Sequence, residues 1–290
     1  MKFGKTRWQT INGIVCGASH IRNNKPCQDA VKTVACEQGT YHIISLADGH
    51  GSDRCPHSDE GAQAAVDTAC AVFAGMFDGR SVDDAAKAIT DNKDIWLPKQ
   101  IEQRWKAAVR DIHTQKEREP ACECEPFPYE MYGATLISLV VAGDFVFAMQ
   151  LGDGDILTIS AAPAKKPAKA SSSQGASDAA SPGQPHVAWV FPPDDTHIGV
   201  DTDSLCLEDC WKHFKAGVIS PCPDMLLLAT DGYSNSFALS EGFLKAGADI
   251  YEILKEQGAE YVENELEGWL ARSSEHGSGD DIAMGLVFRF

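Results

Sequence analysis

The sequence predicts an α+β protein in which antiparallel strands and helices form separate layers. Short apolar segments follow one another at intervals too brief for a connecting helix, which favours antiparallel pairing. Helical periodicity occurs in separate runs and does not alternate with the strands, so a βαβ fold is not expected. The chain has 290 residues, 43% of them hydrophobic, which is enough to bury a large core.

The first half of the chain shows strand-like segments followed by helical ones. The strand-like segments are residues 11–19, 31–36 and 41–47. A helix is predicted over residues 59–76, because apolar side chains recur there at helical spacing, at Ala62, Ala65, Val66, Ala69, Phe73 and Met76. A second helix is predicted from Pro98 onwards, since Pro is tolerated in a first helical turn. Residues 117–128, rich in Glu, Cys and Pro, predict a loop.

The second half returns to strands and closes on helices and one more strand. The first three strands are separated by gaps short enough for hairpins and predict an antiparallel meander; they are residues 133–141, 145–151 and 156–160. Later strand-like segments are residues 187–191 and 225–230. Helices are predicted over residues 240–256 and 259–272, and a last strand over residues 282–288.

Residues 161–185 differ in composition from the rest of the chain. They are rich in Ala, Pro, Ser, Lys and Gly and show no apolar periodicity, which predicts a flexible surface insertion. A domain boundary is the alternative interpretation. Because strand-like segments resume afterwards and neither side has a complete set of core elements, we expect a single domain over residues 1–290.

Charge and composition exclude some partners. The chain carries 25 Lys+Arg against 42 Asp+Glu, a net charge of −17, and such an acid excess repels a phosphodiester backbone. We therefore expect no nucleic-acid partner. We also expect no membrane partner, because the longest apolar stretch, residues 136–149, is too short to span a bilayer. The ten cysteines lack the spacing of a disulfide framework or a zinc site, which with a polar N-terminus predicts reduced thiols in a cytoplasmic protein.

Several carboxylates lie at the ends of predicted strands. Asp48 and Asp231 each follow an apolar segment, Asp280 precedes one, and Asp153 lies in a turn between two others. A single Asp-Gly pair is most simply a β-turn. Four such sites meeting at one sheet edge would repel one another unless a divalent cation neutralised them, and hard oxygen ligands suit Mg²⁺ or Mn²⁺. His50, two residues after Asp48, is placed to donate a proton.

Short Asp- and Gly-containing motifs recur along the chain from about Gly13 to Phe288. In chain order they are Gly17-Ala18-Ser19-His20, Pro26-Cys27-Gln28-Asp29-Ala30, Ala47-Asp48-Gly49-His50-Gly51, Gly133-Ala134-Thr135, Gly152-Asp153, Ala229-Thr230-Asp231-Gly232 and Gly279-Asp280-Asp281-Ile282. Taken in this order they resemble the metal-dependent serine/threonine phosphatases of the protein phosphatase 2C family, in its bacterial-type branch. The resemblance implies a four-layer αββα sandwich, with two antiparallel sheets face to face and helices outside.

The resemblance also implies a set of metal-binding residues. Two divalent cations, Mg²⁺ or Mn²⁺, would be held by Asp48, Gly49, Asp231 and Asp280. Asp48 would bridge both ions, and the Gly49 group involved would be its carbonyl. Asp29 and Gln28 would bind through water, and Asp153 would hold a weaker third ion.

The implied reaction is hydrolysis of phosphoserine and phosphothreonine in proteins. A hydroxide bridging the two cations would attack phosphorus. The implied catalytic residues are Asp48, which would bridge the same two cations, and His50. His50 would act as general acid and protonate the leaving oxygen. The implied partner is a phosphorylated protein, such as a Ser/Thr kinase or its target. A small-molecule phosphomonoesterase would share this chemistry and differ in its substrate groove.

Five positions depart from the family pattern. Gln28 replaces the usual Glu, Asp281 the usual Asn, and Gly154-Asp155 the common Ser-Arg. Asn24 stands where a phosphate-binding Arg is usual, and Arg22 or Lys25 are the candidates to replace it. The missing Arg and Gln28 favour an alternative function, a pseudophosphatase that binds a phosphorylated partner with little turnover. The intact metal-binding and general-acid positions favour the enzyme.

Overall fold

A computed structural model describes residues 7–36, 39–116, 127–162, 184–193 and 202–290. Within these ranges the strands are β1 Gln9–Val15, β2 Ala30–Ala35, β3 His42–Ala47, β4 Leu136–Ala142, β5 Phe145–Leu151, β6 Asp155–Ser160, β7 His186–Trp189, β8 Lys215–Val218, β9 Met225–Ala229 and β10 Ile282–Phe288. The helices are α1 Ala18–Arg22, α2 Ser58–Phe77, α3 Val82–Asn92, α4 Trp96–Gln115, α5 Asp231–Ser234, α6 Ser240–Gln257 and α7 Ala259–His276.

The strands of the described ranges form two five-stranded sheets with antiparallel neighbours. Sheet 1 has the strand order β1-β10-β9-β6-β7, and sheet 2 has the order β2-β3-β4-β5-β8. Helices α6 and α7 cover the outer face of sheet 1. Helix α2 covers sheet 2, with α3 and α4 packed against it. The predicted α+β class and the αββα sandwich are confirmed.

Strand β3 shows how the sequence fills two hydrophobic layers at once. Successive side chains of a strand point to opposite faces. Ile44 and Leu46 therefore pack between the sheets, whereas Ile43 and Ala47 pack against the helices. Because both faces are covered, residues 43–47 are apolar except for Ser45 and lack the alternation of a half-exposed strand.

The predicted meander is wrong at its third strand. β4 and β5 form the expected hairpin, but β6 pairs with β9 and β7 in sheet 1. Gly152 takes a positive φ of 94° in the connection, and the Gln150 Nε2 group donates to the carbonyls of Gly152 and Gly154. A connection this short can form a hairpin within one sheet or cross to a second sheet packed about 10 Å away. Sequence spacing alone does not distinguish these two connections.

Other differences lie at short or exposed elements. Residues 18–22 form α1 where the sequence predicts a strand continuing to residue 19. Three elements, α3, α5 and β8, are not predicted by the sequence pattern. Helix α3 buries only Ala85 and Ile89, and its clearest local signal is the cap in which Ser81 Oγ accepts from the Asp84 N–H. Strand β8 has four residues and none is buried, so its apolar signal is weak.

The predicted insertion falls largely outside the described residues, as do positions 117–126 of the predicted loop. Its flanks are described: Ser160 at the end of β6 pairs with His186 at the start of β7. The segment therefore connects two neighbouring strands of sheet 1. Eight cysteines lie in the described ranges, and all eight are free. Within those ranges no helix is long and apolar enough to cross a membrane.

Candidate active site

Four acidic residues meet at one edge of the sandwich, where strands of both sheets end. Asp48 follows β3 and Asp153 follows β5, both in sheet 2. Asp231 follows β9 after Thr230, and Asp280 precedes β10, both in sheet 1. Carboxylate oxygens of Asp48, Asp153 and Asp231 lie within 4.8 Å of one another. Asp280 lines the same cleft, whose volume is about 950 Å³.

The backbone of Asp48 is fixed by Thr135, which lies just before β4. The Asp48 N–H donates to Thr135 Oγ1 at 3.0 Å, and the Asp48 carbonyl accepts from the Thr135 N–H at 2.8 Å. These two hydrogen bonds tie the residue after β3 to the neighbouring strand of the same sheet. The Gly133-Ala134-Thr135 motif thus has a structural effect on Asp48 that sequence reasoning did not specify.

The glycines after Asp48 and Asp231 allow close approach of backbone segments. A Cβ on Gly49 would lie 2.6 Å from the Ser58 carbonyl oxygen and 2.7 Å from that of Gln28. A Cβ on Gly232 would lie 2.0 Å from the carbonyl oxygen of Asp281. No side chain fits at either position, so both Asp-Gly pairs are required by packing as well as by the turn.

Gln28 and Asp29, which directly precede β2, are buried beside this acidic cluster. Thr230 Oγ1 donates to Asp29 Oδ2 at 2.6 Å, and Gln28 Nε2 donates to Ser58 Oγ at 2.7 Å. Asp29 Oδ1 and Gln28 Oε1 are buried and lack a hydrogen-bond partner in the described ranges. An unpaired buried oxygen costs about 1–3 kcal/mol, so both atoms suit contact with water or a cation.

The clustered carboxylates make one another hard to ionise. Burial, followed by the charges of Asp29 and Asp231, raises the pKa of Asp48 well above its usual range. Burial chiefly raises the pKa of Asp29 too, although its hydrogen bond from Thr230 opposes the rise. The pKa of Asp231 is raised to about 6, by burial and then by Asp153. Such a group of hard oxygen donors is stabilised by a divalent cation, so the residues present fit Mg²⁺ or Mn²⁺.

His50 forms part of the cleft wall beside this cluster. Its backbone N–H donates to the Gly133 carbonyl at 3.1 Å. A Cβ on Gly133 would lie 2.6 Å from His50 Cδ2, so the imidazole ring packs directly against that glycine. Burial lowers the pKa of His50, and the negative charge of Asp153 opposes that effect. His50 is therefore a positioned side chain and not the freely exposed histidine of a turn.

The family follows from a sequence comparison. A family model described as protein phosphatase 2C matches residues 16–271, which is most of the chain. The match includes Asp48, Asp153 and Asp231 and ends before Asp280. This chain belongs to the protein phosphatase 2C family. The prediction of a metal-dependent protein phosphatase is thereby confirmed. Among curated proteins, none matches the sequence significantly.

Solved structures of other phosphatases share the fold. PppA of Pseudomonas aeruginosa, a regulatory component of its T6SS, is 15% identical, with 98% of this chain and 99% of that chain covered and a TM-score of 0.56. The serine/threonine phosphatase of S. agalactiae is 16% identical, with 97% and 99% covered and a TM-score of 0.56. The catalytic domain of PstP, solved with two manganese ions, is 16% identical, with 97% and 98% covered and a TM-score of 0.55.

The candidate basic residues of this protein phosphatase 2C chain occupy different places around the cleft. Neither Arg22 nor Lys25 lines the cleft. Lys25 Nζ instead donates to the carbonyl of Gly51 at 3.1 Å, and Arg22 is exposed. Arg54 does line the cleft, with its side chain 84% exposed and its Nη1 3.9 Å from Glu130 Oε1. Sequence reasoning missed Arg54, although its position six residues after Asp48 is a signal that was available.

Proposed function

We propose that the chain hydrolyses phosphoserine and phosphothreonine monoesters in phosphorylated proteins. The observation that carries this proposal is the approach of Asp48, Asp153 and Asp231 within 4.8 Å in a cleft that Asp280 and His50 also line. A cleft of about 950 Å³ has room for a phosphorylated side chain and part of its peptide. A Ser/Thr kinase or its target would be a partner of the right chemistry.

The residues that would hold two divalent cations directly are Asp48, Gly49 through its carbonyl, Asp231 and Asp280. Asp153 would hold a weaker third ion, consistent with its exposed carboxylate. Asp29 and Gln28 would act through water, which their unpartnered buried oxygens support. When bound, such cations neutralise phosphate charge and acidify water, which supplies the nucleophile.

The side chains of the site would hold the carboxylates in place and protonate the leaving group. Thr135 fixes the backbone of Asp48, and Thr230 fixes Asp29, so that the carboxylates are held before substrate arrives. His50 would donate a proton to the leaving seryl or threonyl oxygen, a role supported by its fixed place in the cleft wall. Arg22 and Lys25 stay predictions for phosphate binding, and Arg54 joins them because it lines the cleft.

A pseudophosphatase is the second candidate, and two observations favour it. The cleft lacks Arg22 and Lys25 among its lining residues, and the neutral Gln28 replaces a carboxylate. A weakly anchored phosphate would lower turnover while leaving the fold and the acidic cluster intact. Such a protein would bind a phosphorylated partner without releasing much phosphate.

Phosphate release from a phosphothreonine peptide and from an aryl phosphate tests the proposal. We expect release with Mn²⁺, none after chelation, and none in Asp48→Ala or Asp231→Ala. Asp249→Asn, an exposed residue of α6 paired with Lys245, is the matched control and should retain the native rate. Mn²⁺ binding without turnover of any phosphopeptide would favour the pseudophosphatase.

A further inference from the structure

His20 lies in the cleft wall next to the acidic cluster, although its place in the predicted motif assigns it no task. It belongs to α1 and lines the cleft together with Asp48 and Asp280. Its side chain is 13% exposed, with Nδ1 2.8 Å from Asp281 Oδ2 and Nε2 3.9 Å from Asp280 Oδ1. The two ring nitrogens therefore face two different carboxylates.

Asp281 is a fixed partner for the ring. It is buried, with Oδ1 accepting from the Gly17 N–H and Oδ2 accepting from the Gln28 N–H, each at 2.6 Å. The Asp281–His20 contact is a close ion-pair approach in which Nδ1 lacks hydrogen-bond geometry. A nitrogen this close to a carboxylate oxygen is favourable when it carries the proton, because a lone pair there would be repelled.

The neighbouring backbone holds His20 at a set distance from Asp280. The Ser19 N–H and hydroxyl both donate to the Gly279 carbonyl, at 2.8 Å and 2.6 Å. Ser274 Oγ accepts from the Ala18 N–H at 2.9 Å and donates to the Asp280 carbonyl at 2.8 Å. Helix α1 is thus joined to the segment before β10 both directly and through Ser274 of α7.

With the proton on Nδ1, Nε2 carries the lone pair, and Nε2 lies 3.9 Å from Asp280 Oδ1 in the cleft that both residues line. Histidines that ligate metals commonly donate from their other nitrogen to a carboxylate, and His20 Nδ1 lies 2.8 Å from Asp281 Oδ2. Two ligands about 2.1 Å from one ion are about 3.0 Å apart at a right angle and about 4.2 Å apart when opposite. The 3.9 Å between Nε2 and Asp280 Oδ1 falls between these limits.

We propose that His20 is a nitrogen ligand, through Nε2, of the cation that Asp280 binds. The inference rests on the proposed function, because it needs a cation at Asp280. Asp281 is then a positioning residue that orients the imidazole. A nitrogen ligand in place of an oxygen ligand lowers the preference of a site for Mg²⁺, which favours oxygen. It raises the preference for first-row transition ions.

Pulsed electron paramagnetic resonance of the full chain loaded with Mn²⁺ tests this directly. We expect nuclear modulation from a directly bound ¹⁴N in the native protein and its loss in His20→Gln. His50→Gln and the surface variant His276→Gln are the matched controls, and both should keep the modulation. Asp281→Asn, which disturbs the orienting contact, should weaken Mn²⁺ binding by about tenfold.

The outcomes separate this inference from the proposed function. If Mn²⁺ binds but no directly coordinated nitrogen is seen, or if the signal disappears in His50→Gln instead, the inference is wrong and the proposed function stands. If no Mn²⁺ binds at all, both fail. Should His20→Gln not fold, the native protein and His50→Gln, each labelled with ¹⁵N only at histidine, decide the matter. Modulation from directly bound ¹⁵N must then appear in both proteins.

Discussion

Thr230 connects the two sheets beside the acidic cluster through one hydroxyl group. Its Oγ1 donates to Asp29 Oδ2 at 2.6 Å and accepts from the Ala283 N–H at 2.9 Å. It therefore links a carboxylate next to β2, in sheet 2, with strand β10 of sheet 1. Both hydrogen bonds are buried, so their loss leaves polar groups without partners.

Replacing this hydroxyl tests its contribution to stability. Thr230→Val keeps the side-chain shape and removes the donor and acceptor, so the free energy of unfolding should fall by about 1–3 kcal/mol. Chemical denaturation measures it in the presence of chelator. Thr230→Ser keeps the hydroxyl and should lose less, and equal stability of the two variants would contradict the assignment.

His50 is assigned as general acid because it is fixed in the cleft wall beside the carboxylates. His50→Ala should lose about a hundredfold or more in rate on an alkyl phosphate, whose leaving group needs a proton. The loss on an aryl phosphate should be smaller, because a phenolate leaves without one. Rates on a phosphothreonine peptide and an aryl phosphate measure the difference. Equal losses would exclude the general-acid role.

At the scale of elements, helix α2 is held against its neighbours by small residues. The carbonyl of Gly61 accepts from Trp105 Nε1 of α4 at 2.9 Å. A Cβ on Gly61 would lie 1.8 Å from the carbonyl oxygen of Tyr132. The helix can pack this closely only because its face carries glycine and alanine, which is also why its apolar pattern is rich in small side chains.

Two glycines of α2 form a matched pair for testing this packing. Gly61→Ala should lower the free energy of unfolding by about 1–3 kcal/mol, because backbone must shift to admit the methyl group. Gly75→Ala should raise it by about 0.5–1 kcal/mol, since nothing lies within 4 Å of the new Cβ and alanine favours the helix. Thermal denaturation measures both. Opposite signs are expected, and two losses of similar size would contradict the packing argument.

At the scale of the whole molecule, negative charge is abundant, and part of it is concentrated in one cleft. The net charge is −17, and four of the acidic side chains, Asp48, Asp153, Asp231 and Asp280, line one cleft. Their mutual repulsion opposes folding wherever no cation is bound. The two sheets nevertheless bring them together, because the apolar strands between and around them are fully buried.

Cation binding should therefore stabilise the fold measurably. At a Mn²⁺ concentration about 100 times its Kd, the free energy of unfolding should rise by about 2.7 kcal/mol, and chelator should reverse the rise. Asp48→Asn should lose the response to Mn²⁺ and be at least as stable as the native protein in chelator, because one repelling charge is gone. Thermal denaturation with and without Mn²⁺ measures this. An unchanged response in Asp48→Asn would contradict a cation site at Asp48.

The sequence by itself determined the class of fold, most element positions, the family and the candidate residues. The apolar runs that form β3, β4, β9 and β10 are long enough to be read without a structure, and the last of them was predicted at residues 282–288, its observed bounds. The Asp-containing motifs at their ends gave the candidates for metal binding. The local sequence pattern is sufficient to predict these strands and turns. A strand buried on both faces and an Asp-Gly turn are each encoded within a few consecutive residues.

Only the tertiary structure decided which groups meet. The sheet to which β6 belongs depends on pairing with β9, which comes more than 60 residues later, and hairpin spacing does not contain that information. The same holds for the contact between His20 and Asp281, and for the presence of Arg54, but not Arg22 or Lys25, in the cleft. Contacts between residues distant in sequence follow from how the two sheets stack, and packing of the whole core fixes that arrangement.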